Sequence, residues 1–212
     1  MIGLIGKKLG MSQVFAANGT LVPVTVIQVG PCTVVQKKTV QRDGYTALQL
    51  GFGVRKPQRA TKPLLGHCKA AGAGPFIVLR EFLIADVDPY EIGSELTAAQ
   101  VFQAGELVDV VGQTKGRGYT GVIKRHGMSG FPGSHGTHEY FRHGGSIGNR
   151  SYPGRIFKGK RMAGQYGNTR MTALHLRVVE VRPDSHLLLV RGSVPGARRG
   201  LVLVRKADEA KR

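Results

Sequence analysis

Three short glycine-containing patterns in the middle of the chain have the spacing of known chemical motifs. Gly116, Gly118 and Gly121 fit the dinucleotide pattern G-x-G-x-x-G, which places a pyrophosphate at the start of a following helix. Residues 154–160 fit most of a phosphate-binding P-loop, and residues 144–148 fit the G-x-S-x-G nucleophile elbow of hydrolases. Taken at face value, these patterns indicate nucleotide binding or hydrolysis.

Each of these patterns lacks the partners that its chemistry requires. Gly127, Gly130 and Pro132 would stop a helix within about two turns of the first pattern. Arg161 stands where a P-loop needs Ser or Thr to hold magnesium, and Glu139 is the only carboxylate nearby to support a nucleophilic serine. A glycine-rich segment produces such matches by chance. We therefore predict that the protein is not an enzyme and has no catalytic residue.

Histidine and cysteine could in principle bind a metal ion. His135, His138 and His143 have spacings of three and five, but no cysteine joins them and a glycine-rich backbone does not hold tetrahedral geometry by itself. Cys32 and Cys68 form no CxxC pair, and we predict that both are reduced, buried small hydrophobes. We expect no metal and no cofactor.

The segment that contains these patterns, residues 113–170, differs in composition from the rest of the chain. It holds 14 of the 31 glycines, eleven Lys and Arg against one acidic residue, and half of the aromatic side chains. Leu, Ile, Val and Phe make up only about 12% of it, below the roughly 20% at which a chain struggles to build a core. This composition predicts an insertion without a hydrophobic core of its own.

Such a composition suits contact with RNA. Arg and Lys bind phosphates, glycine allows backbone amides to approach closely, and Tyr, Phe and His offer flat surfaces for unpaired bases. A solvated charged loop is the alternative, but ordinary connections are far shorter. We predict that the segment binds RNA, and that it has no fixed fold until RNA neutralises its charge.

The whole chain is also strongly basic. Its 212 residues carry a formal net charge of +18 with 41% hydrophobic residues, which indicates a real core and a polyanionic partner. No apolar run approaches the roughly 18 residues of a spanning helix. Lys7 and Lys8 follow the short apolar start, which is the reverse of the order in a secretory signal. We therefore expect a cytoplasmic protein that does not bind a membrane.

Short β-rich runs separated by Gly and Pro flank the segment on both sides. These runs predict strands over residues 21–29, 32–38, 47–52, 76–84, 107–111 and 201–204, and a hairpin formed by 177–182 and 186–190. Pro63 opens a short predicted helix that stops at Gly72, and Thr97 with Gln100 has the spacing of a capping box. Many strands with few helices predict a mainly β protein with a closed antiparallel barrel over residues 1–112 and 171–212.

An ordered series of motifs resembles the universal large-subunit ribosomal protein L-three family, in its bacterial form. The first is GLIGKKLGMSQVF at residues 3–15. The others lie at residues 22–27, 118–128, 134–137, 145–148, 153–165 and 192–196. No single motif is decisive, but their order is specific and extends nearly from end to end.

The resemblance implies a six-stranded barrel of the type shared with translation factors. It also implies a long extension that passes through large-subunit rRNA toward the peptidyl transferase centre, early binding that helps to nucleate assembly, and contacts with neighbouring ribosomal proteins. Peptide-bond chemistry belongs to the RNA, so the family supports it structurally and has no small-molecule substrate.

Two positions depart from the usual pattern of the family. Asn149 occupies the position of a glutamine that is methylated in some bacterial members, so we expect no modification there. Residues 139–144 are less rich in Arg and Pro than is usual. The other functions that the sequence leaves open are a free RNA chaperone, which would share the charge but not the ordered motifs, and an enzyme.

The predicted rRNA-binding residues are the basic side chains of residues 113–170, with Tyr119 and four histidines, together with two lysines of the amino-terminal motif. They are Lys7, Lys8, Lys115, Arg117, Tyr119, Lys124, Arg125, His126, His135, His138, Arg142, His143, Arg150, Arg155, Lys158, Lys160, Arg161 and Arg170.

Overall fold

A computed structural model describes residues 2–207 of the chain. These residues divide into two compact units. The barrel unit comprises residues 2–113 and 170–207, and the extension comprises residues 114–169.

The secondary structure of the described residues consists mainly of strands. In chain order they are β1 (Gly3–Phe15), β2 (Leu21–Val29), β3 (Cys32–Lys38), β4 (Ala47–Val54), β5 (Phe76–Leu83), β6 (Glu95–Leu96), β7 (Leu107–Gln113), β8 (Gly118–Thr120), β9 (Gly164–Tyr166), β10 (Arg170–Arg182), β11 (Leu187–Arg191) and β12 (Leu201–Lys206). The helices are short: α1 (Val40–Asp43), α2 (Lys62–Lys69), α3 (Ala98–Val101), α4 (Val122–His126), and two 3₁₀ turns, Pro57–Arg59 and His138–Arg142.

Six strands close into an antiparallel barrel in the order β1-β12-β7-β10-β11-β2, with β2 returning to β1. This confirms the predicted six-stranded barrel. Closure leaves no free edge, because every barrel strand is hydrogen-bonded on both sides. The close approach of β1 to β12 requires glycine at position 3, where an added Cβ would lie 2.5 Å from the Val204 carbonyl oxygen and 2.6 Å from the Phe82 ring.

A second sheet, in the order β5-β4-β3-β6, packs against the barrel. The sequence did not reveal that these strands form a separate sheet. One continuous core joins the two layers, with Leu4, Ile27 and Val204 from the barrel and Leu50 and Phe82 from the second sheet all buried. The barrel unit therefore has the hydrophobic core that its composition predicted.

The predicted strands and helices of the barrel unit are largely confirmed. β2 and β3 have the predicted bounds, and the 177–190 hairpin forms between β10 and β11. Helix α2 starts beside Pro63 as predicted. The capping box is present at α3, where the Thr97 backbone N–H donates to the Gln100 side-chain oxygen at 2.8 Å.

The prediction omitted β1, a strand of 13 residues. Its three glycines and two lysines obscure the alternation by which a half-buried strand is identified. Cys32 and Cys68 are free and buried, as predicted, and burial raises the pKa of the Cys32 thiol to about 11. No helix within residues 2–207 is long and apolar enough to cross a membrane.

Candidate nucleic-acid interface

The extension leaves the barrel unit between two paired strands. Gln113, the last residue of β7, is in register with Arg170, the first residue of β10. The ladder continues one step into the extension, where the Thr114 N–H donates to the Thr169 carbonyl at 2.9 Å. The Thr169 N–H donates to the Thr114 hydroxyl oxygen at 3.2 Å. The 56-residue extension is therefore a long loop of one hairpin, with its two ends fixed side by side.

A short hairpin of β8 and β9 continues from these ends. Tyr119 pairs with Gln165 in its centre. The Arg117 guanidinium lies 4.9 Å from the centroid of the Tyr166 ring, within the range of a cation–π contact. Arg117, a predicted RNA contact, thus also stabilises the base of the extension.

Helix α4 is fixed to the returning arm through one carbonyl group. Arg125 Nη1 donates to the Met162 carbonyl at 2.6 Å, and His126 Nε2 lies 3.0 Å from the same oxygen. Since a carbonyl can only accept, His126 must carry a proton on Nε2. An added Cβ at Gly164 would lie 2.7 Å from Arg125 Nη1. We call Arg125, His126 and the Met162 carbonyl the Met162 clamp.

Beyond the clamp, from Gly127 to Arg161, the only regular element is the 3₁₀ turn His138–Arg142. One backbone bond closes a loop here, from the Phe131 N–H to the Phe141 carbonyl at 3.0 Å. Thr120 is the single buried residue of the extension, and no buried apolar side chain lies between residues 114 and 169. This part of the chain therefore has no hydrophobic core.

The aromatic side chains of the extension point outward. Tyr119 and Tyr152 are 81% and 83% exposed, and four further rings are exposed as well: Phe131, Tyr140, Phe141 and Phe157. Only Tyr119 of these six was among the predicted contact residues. The interspersion of rings with Arg and Lys was visible in the sequence, but the exposure of each ring was not.

Most of the predicted cationic contacts of the extension are exposed and unpaired. No side-chain hydrogen bond or ion pair with another described residue involves Lys115, Lys124, Arg142, Arg150, Arg155, Lys158, Lys160 or Arg161. The ion pairs among the described residues all lie in the barrel unit, to which the exposed Arg170 also belongs. The extension therefore presents uncompensated positive charge to its surroundings.

The two predicted lysines of the barrel unit have other surroundings. Lys8 Nζ donates to the carbonyls of Val194 and Gly196, at 2.7 and 3.3 Å. Lys7 Nζ lies 5.8 Å from the centroid of the Phe52 ring. Both lysines are half-buried, and these contacts give them a structural role in the barrel.

Three of the four histidines of the extension, His135, His138 and His143, lie beyond the clamp. His135 and His138 have positive φ angles of 57° and 51°, and the ring of His143 lies 4.7 Å from that of Tyr140. Within residues 2–207, no group of three or more His, Cys, Asp or Glu side chains could hold a metal ion.

The three enzyme-like patterns do not have the required structural context. Helix α4 follows the dinucleotide pattern but ends after five residues at Gly127, as predicted. Residues 154–160 and 144–148 lie in turns and irregular chain, with no strand or helix at either pattern in the described structure. None of the patterns forms the strand–turn–helix that binds phosphate or exposes a nucleophile.

A closed β-barrel with a coreless, cationic arm and outward-facing rings defines a class of basic proteins suited to contact with a polyanion. Comparison with known proteins identifies the family. The family described as Ribosomal protein L3 matches residues 85–186. The large ribosomal subunit protein uL3 of Syntrophobacter fumaroxidans is 52% identical over 208 residues, 98% of each chain. Its counterparts in Thermotoga maritima and Geobacter sulfurreducens are 52% and 51% identical, over 99% and 96% of each chain. This chain belongs to the ribosomal protein L3 family.

Proposed function

We propose that this chain is a structural component of the large ribosomal subunit and that its extension binds the ribosomal RNA. The relatives carry the name of a large-subunit protein. One observation carries the proposal. Residues 114–169 combine ten Lys and Arg, of which eight lack a side-chain partner, with six exposed rings and no apolar core.

This combination fits RNA better than it fits solvent or protein. Uncompensated cations repel one another unless phosphates neutralise them. Stacking of unpaired bases on exposed aromatic rings stabilises a protein–RNA complex by about 1–3 kcal/mol per base. RNA surfaces would thus supply the packing that the extension cannot provide itself.

The geometry separates two roles among the predicted contact residues. Arg142, Arg150 and Arg155 represent the exposed cations that we propose contact phosphates. The Met162 clamp and Arg117 would instead shape the base of the extension, so that the two arms enter the RNA together. Lys8 would keep its role in the barrel.

We further propose that the extension reaches toward the peptidyl transferase centre, that the protein helps to nucleate subunit assembly, and that it contacts neighbouring ribosomal proteins. These proposals rest on family membership and on reach. An arm of about 28 residues spans at most about 90 Å at ~3.3 Å per residue. Peptide-bond formation remains the chemistry of the RNA, and the protein would supply no catalytic group.

The test is the salt dependence of binding between the full chain and a fragment of large-subunit rRNA. If six or more phosphates are neutralised, affinity should fall on the order of a thousandfold between about 50 and 200 mM salt. A double variant, Arg150→Ala with Arg155→Ala, should reduce the salt slope by about 2. The matched control, Arg177→Ala with Arg182→Ala in β10, should leave the slope unchanged.

Two results would contradict the proposal: a salt slope near zero, or equal effects of the two double variants. Co-sedimentation with large subunits through a high-salt wash separates a structural component from a transient RNA chaperone. The structural component should remain bound, whereas a chaperone would be washed off.

A further inference from the structure

The connection between β4 and β5, residues 55–75, is a second basic surface of the molecule. It carries Arg55, Lys56, Arg59, Lys62 and Lys69. No Asp or Glu occurs anywhere from residue 44 to residue 80. Like the extension, this stretch carries uncompensated positive charge. None of its basic side chains takes part in the ion pairs of the barrel unit.

The β4–β5 connection is well anchored, unlike the extension. Its ends are joined where the Arg55 N–H donates to the Pro75 carbonyl at 2.8 Å. Helix α2 buries Cys68 in a small core with Val35 and Phe76. The basic side chains therefore lie on an anchored segment, the β4–β5 connection, which we also call the platform, rather than on a loop without a core.

The cations of this platform are available to a ligand. Arg55, Lys56 and Arg59 line an open groove of about 360 Å³ with Val54 and Ile77. No ion pair or side-chain hydrogen bond among the described residues involves the five basic side chains of the connection.

The nearest carboxylate along the chain does not neutralise this groove. Glu81 lies five residues beyond Phe76 on β5, roughly 17 Å away at ~3.4 Å per residue. Its oxygens already accept hydrogen bonds from the Tyr45 hydroxyl at 2.8 Å and the Gln49 amide at 3.2 Å.

A glycine in α2 gives an independent indication of close contact. Gly66 lies inside the helix and is exposed, and an added Cβ there would meet nothing within 4 Å. The fold itself therefore does not require glycine, which is the poorest helix former after proline. A partner that approached the helix backbone closely, between the exposed Lys62 and Lys69, would account for a glycine at this position.

The side-chain chemistry of the connection indicates which form of RNA would bind. Residues 55–75 contain no Phe, Tyr or Trp. Their one imidazole, His67, is half-buried and hydrogen-bonded to the Gln49 side chain, so no exposed ring is available to stack on an unpaired base. Basic side chains beside an accessible protein helix suit the phosphate–sugar backbone of A-form RNA. Proteins recognise such RNA mainly by its shape. The aromatic-rich extension has the complementary chemistry, suited to unpaired bases.

We propose that the β4–β5 connection binds the backbone of double-helical RNA, as a second RNA-binding surface distinct from the extension. This inference rests on the proposed function, because it assumes that the protein is seated on ribosomal RNA. The two surfaces would have different roles. The β4–β5 connection would bind duplex RNA irrespective of its sequence, and the extension would contact unpaired RNA.

The test uses the full chain and two RNA probes. One is a blunt duplex of about 20 base pairs, slightly longer than a double-stranded-RNA-binding domain covers. The other is a uridine oligomer of the same length. In the triple variant Lys56→Ala, Arg59→Ala, Lys62→Ala, the salt slope of duplex binding should fall by about 2–3, with affinity at least ~10-fold weaker. Binding of the uridine oligomer should not change.

A control variant removes the same charge elsewhere in the barrel unit: Arg42→Ala, Arg182→Ala, Arg191→Ala. It should leave duplex affinity unchanged. If the control and the test variant weaken duplex binding equally, or if neither does, the inference is overturned while the proposed function stands. If the unsubstituted chain binds neither probe, the proposed function fails with it.

Gly66→Ala provides a second, charge-neutral test. Alanine should strengthen α2 and raise the melting temperature by about 2 °C, so a loss of binding could not be attributed to misfolding. We expect duplex affinity to fall at least ~5-fold, because the methyl group holds the RNA backbone away from the helix. A variant that melts higher and binds the duplex as well as before would overturn the close approach at Gly66.

Discussion

The barrel unit and the extension differ in where most of their aromatic rings lie, although Phe15 and Tyr45 of the barrel unit are also exposed. In the barrel unit, four phenylalanines are buried: Phe52, Phe76, Phe82 and Phe102. In the extension, six of the seven rings are exposed. The buried rings of the barrel unit stabilise its fold, whereas most rings of the extension are available to a partner. Aromatic content alone therefore does not predict a core.

The two regions differ in the same way in their charges. In the barrel unit, Arg205 pairs with the buried Asp109 at 3.0 Å, and Lys206 pairs with Glu106 at 2.9 Å. The extension has one carboxylate, Glu139, and no ion pair among its described side chains. The barrel unit pairs part of its charge internally, whereas the extension pairs none among its described side chains, and we infer that RNA neutralises the extension.

Removal of the extension should have the largest effect. Gln113 and Arg170 are paired directly, so residues 114–169 can be replaced by a short turn that contains Asn-Gly. We expect a cooperative thermal unfolding transition to remain, because the core lies wholly in the barrel unit. Affinity for an rRNA fragment should fall on the order of a thousandfold. Calorimetry and a binding titration measure the two results.

Loss of the cooperative transition in this deletion variant would show that the extension is part of the folding unit. Retention of full RNA affinity would show that the extension contributes nothing to RNA binding. Either result would break the comparison.

A matched pair of isoleucines should show an intermediate effect. Ile27 in β2 is 0% exposed, and Ile147 in the extension is 51% exposed. Ile27→Ala should lower the free energy of unfolding by about 2–5 kcal/mol, and Ile147→Ala by less than about 0.5 kcal/mol. Denaturant titration of both variants checks this. Similar losses would mean that the extension contains a cooperative core.

The Met162 clamp should give the smallest effect. Arg125→Ala removes the guanidinium that bonds to the Met162 carbonyl, whereas Lys124→Ala removes the same charge from an exposed neighbour without a side-chain partner. A hydrogen bond from a charged group contributes about 1.5–3 kcal/mol. Amide hydrogen exchange near β9 should therefore accelerate at least ~10-fold in Arg125→Ala only.

Equal exchange in the Arg125→Ala and Lys124→Ala variants would contradict a structural role for the clamp. The free energy of unfolding of the barrel unit should be the same in both, because both residues belong to the extension and not to the barrel core.

The sequence predicted those elements whose signal is local. β2 and β3 are rich in β-branched residues and are separated by Gly30 and Pro31, and the α3 capping box depends on residues three apart. Long-range pairing was not readable in the same way. The division of the strands into a barrel and a second sheet depends on which distant strands pair. That choice is made by packing, as at Gly3 against Phe82, and composition does not reveal it.

The same distinction applies to the candidate site. The composition of residues 113–170 indicated a cationic, coreless, ring-bearing segment. It could not indicate that Arg125 and His126 meet one carbonyl 36 or more residues away, nor that Lys8 donates to the Val194 carbonyl, 186 residues away in sequence. Residue type predicts what a side chain can bind. Only the fold determines whether that side chain is already hydrogen-bonded within the protein.

Limited trypsin digestion of the free protein and of intact large subunits tests the central claim most directly. Arg142, Arg150 and Arg155 in the extension are compared with Arg80 and Arg177, exposed arginines whose backbone lies in β-ladders. A chain without a core cannot offset an ordering cost of about 1–2 kcal/mol per residue. The three extension sites should therefore be cut first in the free protein and be protected in the subunit. Extension sites as resistant as Arg80 and Arg177 in the free protein would contradict the account, because the extension would then be folded without RNA.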